Sequence, residues 1–92
     1  AASDVYKRQE NDYWVEDASA CMENLLLAAQ GLGLGAVWLG VYPLRDRVEG
    51  LRGLFHIPEG VTPMGIAAVG VPASTPEPID RFREDKVHWE RW

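Results

Sequence analysis

The chain has 92 residues, with 14 acidic against 9 basic side chains and a net charge of −5. Hydrophobic residues make up 47% and charged ones 25%, the balance of an ordinary globular protein rather than a disordered or fibrous one. No apolar run approaches the roughly 18 residues of a membrane span, the acidic balance argues against a nucleic-acid partner, and one cysteine can form neither an internal disulfide nor a zinc site. The length admits one domain, which at this size buries only about 60–65% of its unfolded surface.

Residues 1–9, AASDVYKRQ, show no apolar period and no cap. They resemble the translated adaptor scar that often begins reading frames from shotgun assemblies. They are read as a non-native leader and set aside from fold reasoning. Residues 10–92 carry the rest of the reading.

The first clear element is a long helix, Tyr13 to Leu32. Trp14, Ala18, Cys21, Leu25, Ala28 and Leu32 recur at spacings of four, three, four, three and four, which is one helical face. Met22, Leu26 and Ala29 widen the apolar stripe to most of the circumference of the second half. Asp12 is placed to cap the start, and Gly31 or Gly33 to supply the left-handed residue at the end. A helix apolar on almost every side needs cover on almost every side.

Gly31, Gly33 and Gly35 alternate before Ala36-Val37-Trp38-Leu39-Gly40-Val41. A phosphate loop follows a strand and opens a helix. Here the glycines close a helix and lead into a strand, so they read as a cap and a turn. The strand is short, apolar and bounded by turn formers, the pattern of a buried strand. Pro43 then introduces a second helix, Leu44 to Phe55, with Leu44, Val48, Leu51 and Phe55 as its apolar face. Asp46, Arg47, Glu49 and Arg52 fall mostly outside. Met64 to Val71 reads as a second buried strand, whose small residues leave room for another backbone or a flat ligand.

After Pro72 the chain turns extended, and Ile79 to Trp92 is charged yet carries Phe82, Trp89 and Trp92. Aromatics on such a tail dock on a surface. Glu84 and Asp85 read as the start of a last helical turn. Two strands and two apolar helices do not close a domain, since a two-stranded sheet is marginal alone. Part of this fold is therefore expected elsewhere, in a partner subunit, a missing N-terminal half, or both.

Four segments in order resemble the flavin-dependent nitroreductases. Trp14-Val15-Glu16-Asp17-Ala18-Ser19-Ala20 with Glu23-Asn24-Leu25-Leu26-Leu27-Ala28-Ala29 resembles that family's central helix. The run from Gly31 through Trp38-Leu39-Gly40 to Pro43 resembles the segment after it. Ile57-Pro58-Glu59, Pro63 and Gly70-Val71-Pro72 resemble the next strand and its borders. Asp80-Arg81-Phe82 with Val87-His88-Trp89-Glu90-Arg91-Trp92 resembles the C-terminal tail.

The resemblance implies an α+β fold, helices around a mixed β-sheet, here incomplete, and normally an intertwined homodimer whose tail wraps the partner subunit. It implies a cytoplasmic oxidoreductase that uses FMN to carry hydride from NAD(P)H to nitroaromatics, quinones or related acceptors. Carried over by position, the backbone N–H groups of Leu39 and Gly40 approach the flavin near N5, and Arg81 reaches the FMN phosphate. The plain alternatives are the end of a buried strand and a solvated tail charge. Arg83 shares a face with Arg81 if the tail is extended. Trp38 lines either the flavin pocket or only the core. Some relatives place a lysine where Ile79 stands, so one phosphate contact is missing. His56 reads as a surface or capping residue, His88 as a packing residue and Cys21 as a small hydrophobe. The family's main phosphate clamp, an arginine-rich N-terminal segment, is absent, so the chain alone is expected to bind FMN poorly and turn over nothing. The competing reading is a non-enzymatic helical module that buries its apolar helix against a partner protein.

Overall fold

The computed structural model describes residues 2–6 and 12–92. The elements run β1 (Ala2–Tyr6), α1 (Trp14–Gly31), β2 (Gly35–Gly40), α2 (Arg45–Phe55) and β3 (Thr62–Gly70), with a single 3-10 turn at Glu84–Lys86. The strands form one sheet in the order β1-β3-β2, and both pairings are antiparallel. Part of the segment set aside as a leader thus pairs with β3. No parallel pairing occurs among the described strands.

The α1 N-cap is Tyr13, with no side-chain capping hydrogen bond, so Asp12 does not take the expected role. Glu16 and Asp17 in the first turn instead suit the positive end of the helix dipole. The C-terminus closes as a Schellman motif. Gly33 adopts φ +76°, its N–H donates to the Gln30 carbonyl at 3.1 Å, and the Leu34 N–H donates to Ala29 at 2.9 Å. This leaves β2 to start within a few residues of the helix end.

β3 is the middle strand. Its register against β1 steps at Met64, because Asp4 faces Gly65 while Val5 faces Pro63. The extra residue is a bulge. It turns Met64 onto the face of Ala67, although the two are three positions apart. Ala18 and Met22 of α1 meet Met64 and Ala67 there, with Trp14, Leu25 and Leu26 packed around them. Met22 is 1% exposed and Ala67 0%.

Cover elsewhere is sparse. On α1, Cys21, Leu27 and Ala28 are exposed, as is Leu32 at its C-cap, so the helix buries one stripe and presents another. The expectation that β2 is buried is not met. It pairs only with β3, no described strand joins its outer edge, and Val37, Trp38 and Leu39 are all exposed. Its apolar composition suits a central strand, but the described residues supply no neighbour on that side. Residues 71–92 are exposed throughout, and the 3-10 turn touches no other element.

Candidate functional site

β2 ends beside the start of α2. Leu39 lies opposite Ile66 and Gly40 opposite Gly65. A groove of about 490 Å³ opens there, with Leu39, Gly40, Val41, Arg47, Leu51, Leu54 and Ile66 in its lining. The lining is apolar except for Arg47 and backbone atoms. Arg47 reaches back across the β2–α2 connection, and its Nη1 donates to the Gly40 carbonyl at 2.9 Å. A Cβ placed on Gly40 would meet nothing within 4 Å. The strand end is therefore open beside Gly40 on the face away from the Leu39 side chain.

Trp38 lies elsewhere. Side chains alternate across a strand, so Leu39 and Trp38 face opposite sides of the sheet. The Trp38 indole covers Gly65, where an added Cβ would lie 2.6 Å from Nε1 and 3.2 Å from Cδ1. The room left by small residues on β3 is thus taken, at Gly65, by a side chain of the neighbouring strand. Trp38 does not line the groove.

Arg81 is in the exposed tail and does not line the groove either. The preceding Asp80 accepts a hydrogen bond at its Oδ1 from the Phe82 N–H at 2.9 Å, an Asx turn that fixes the local bend. Arg83 is committed to Asp85, with Nη2 to Oδ2 at 2.7 Å. Arg81 has no ion pair among the described residues. The structure therefore brings Leu39 and Gly40 together at one groove, and leaves Arg81 and Trp38 apart from it.

Two arginines read as outward-facing do more than that. Arg47 holds the end of β2. Arg52 is anchored to the turn before β3, where Nη2 donates to the Val61 carbonyl at 2.9 Å and to the Glu59 carbonyl at 3.3 Å. Its Nη1 also pairs with Glu49 Oε1 at 2.9 Å. Helical period marks which residues leave the core but not where a long side chain folds back. His56 is the α2 C-cap in the left-handed region, φ 55°, in keeping with a capping role. His88 lies against Trp92, ring centroids 4.3 Å apart, in the exposed tail. Cys21, read as a small hydrophobe on the apolar stripe, is exposed. No group of three metal-ligating side chains forms among the described residues, and no described helix is long and apolar enough to cross a membrane.

Comparison with known proteins places this arrangement. A family model described as "Nitroreductase family" matches residues 1–71. A protein of Methanothermobacter thermautotrophicus, provisionally named an NADH dehydrogenase/NAD(P)H nitroreductase, is 55% identical over 80 residues, covering 87% of this chain and 42% of its own. A similarly named protein of Archaeoglobus fulgidus is 46% identical over 84 residues, covering 88% of this chain and 48% of its own. The crystal structure of another provisionally named NADH dehydrogenase/NAD(P)H nitroreductase, from Bacteroides thetaiotaomicron, superposes with a TM-score of 0.92. It is 37% identical and covers 98% of this chain and 54% of that one. An FMN-dependent nitroreductase of Clostridium difficile shares the fold, with a TM-score of 0.90 at 23% identity. The chain spans about half the length of the curated relatives it matches. Its helices and antiparallel strands are an incomplete portion of their α+β fold, and the chain belongs to the nitroreductase family.

Proposed function

We propose that this chain is the C-terminal half of an FMN-dependent oxidoreductase that carries hydride from NAD(P)H to a nitroaromatic, quinone or related acceptor. The observation that carries the reading is the 55% identity over 80 residues to a relative named for NAD(P)H nitroreductase activity. The glycine at position 40 suits close approach of the flat ring of FMN, since among the described residues nothing beyond its chain neighbours lies within 4 Å of where its Cβ would be.

FMN supplies the hydride chemistry when bound. The chain's own part is to bind and orient. Leu39 and Gly40 sit on a strand held by β3, so of their two successive N–H groups the one turned away from β3 is offered as a donor from a fixed frame. Leu39, Leu51 and Leu54 give the groove an apolar wall. Arg81, free of ion pairs among the described residues, supplies a guanidinium for the phosphate once the tail docks. The exposed Phe82, Trp89 and Trp92 fit docking on a second copy, which makes the working unit a cytoplasmic homodimer. Trp38, packed over Gly65, backs the strand from its other face and contributes to the cofactor site through β2.

The test is to recover the coding sequence upstream of these residues, express the longer protein and look for bound-flavin absorbance and NAD(P)H oxidation. A colourless product that does not take up FMN overturns the reading. The 92 residues alone are expected to bind FMN poorly, and micromolar binding by them would overturn the half-protein part of it.

A further inference from the structure

We infer that Arg47 is a positioning residue for the strand end at Gly40, and through it for whatever lies against the Leu39–Gly40 backbone. This rests on the flavin reading above only for the identity of that molecule. The argument begins with the sheet. The β2–β3 register runs from Gly35↔Gly70 to Gly40↔Gly65 and ends there. One residue further the buried Val41 leaves the ladder, and the next strand contact is the Tyr42 N–H to the Met64 carbonyl at 3.1 Å, in a shifted register. The Gly40–Val41 peptide therefore lies where pairing changes step, at a glycine, the residue least constrained by its own side chain.

Arg47 is what holds it. Its Nη1 donates to the Gly40 carbonyl at 2.9 Å, and it is the one charged side chain lining the groove. It has no ion pair among the described residues, so its guanidinium is not shared with a carboxylate. Arg47 lies in the first turn of α2, whose Val48 is buried, so the donor stands on a packed element rather than on a loop. A charge-assisted bond from a rigid helix to a carbonyl fixes the plane of that peptide. The preceding Leu39–Gly40 peptide is held by pairing with β3, so the two peptides on either side of the Gly40 Cα are each restrained.

The experiment compares wild type with Arg47→Ala and Arg47→Lys, the lysine keeping one donor at similar reach. Amide hydrogen exchange in the longer protein is read at Tyr42, whose N–H donates to the Met64 carbonyl just past the Gly40–Val41 peptide. Exchange at Tyr42 is expected to rise about three- to tenfold in Arg47→Ala and to return most of the way in Arg47→Lys, with amides in the middle of β3 unchanged. An unprotected Tyr42 amide in the wild type, or equal exchange in all three proteins, would overturn the inference. So would a rise shared by the middle of β3, which marks general loosening. In the longer FMN-loaded protein, Arg47→Ala is expected to slow flavin reduction by NAD(P)H about tenfold, with FMN affinity changed less than about threefold. If that protein takes up no FMN while the exchange pattern holds, the flavin reading fails and the positioning role of Arg47 stands.

Discussion

The junction of α1 with β3 and the C-terminal tail carry comparable apolar side chains and meet opposite fates. At the junction Met22 and Ala67 are almost wholly covered, because the α1 stripe and the bulged strand present matching faces. In the tail Trp89 is 85% exposed and Trp92 98%. The difference lies in the available partner surface and not in hydrophobicity. Burial is a property of a pair of surfaces, and among the described residues the α1–β3 pair gathers the hydrophobic core cluster. The exposed stripe of α1 and the bare outer edge of β2 belong with the tail in this respect.

The sharpest way to break the comparison is at its closed end. Met22→Ala should cost about 2–5 kcal/mol, read as a loss of urea midpoint, because the site cannot collapse around a thioether's volume. Gly65→Ala comes next. Its Cβ would lie 2.6 Å from Trp38 Nε1, so the indole must move. A loss of about 1–3 kcal/mol is expected, with a red-shifted tryptophan emission as the ring swings into water. Arg52→Ala strips the Glu59 and Val61 carbonyls of their side-chain donor and should cost about 1–2 kcal/mol by the same denaturation. The smallest effect belongs to the open end. Trp92→Ala should change the stability of the chain at high dilution by less than about 0.5 kcal/mol. At rising concentration its effect should grow if the tail docks on a second copy, which sedimentation of the two proteins would reveal.

Much of this frame was legible in the residues. The period of α1 located the helix to within a residue at each end, and Gly33 was one of two glycines offered for its left-handed cap. β2, α2 and β3 were found for similar reasons, each being bounded by Gly or Pro. What period could not show was relative placement. An apolar hexamer such as Gly35–Gly40 has the same composition whether it lies in the centre of a sheet or at its edge. The cap at Tyr13 and the bulge at Met64 depend on backbone geometry rather than on residue type. Arg47 and Arg52 look like solvated charges because they donate to carbonyls, seven to nine positions away, that leave no mark in a pattern of side chains. For the candidate site, Leu39 and Gly40 came from resemblance alone, and the structure adds the groove beside them and the arginine that braces them.

The outer edge of β2 also bears on how the chain behaves in bulk. An unpaired apolar strand offers its row of amides and carbonyls to any similar edge it meets. Two such chains meeting edge to edge extend one sheet, and each addition exposes a fresh edge of the same kind. The usable concentration of these residues is then set by kinetics of encounter rather than by equilibrium stability. A lysine at Val37, which is more than half exposed, should raise that ceiling while leaving the α1–β3 junction untouched.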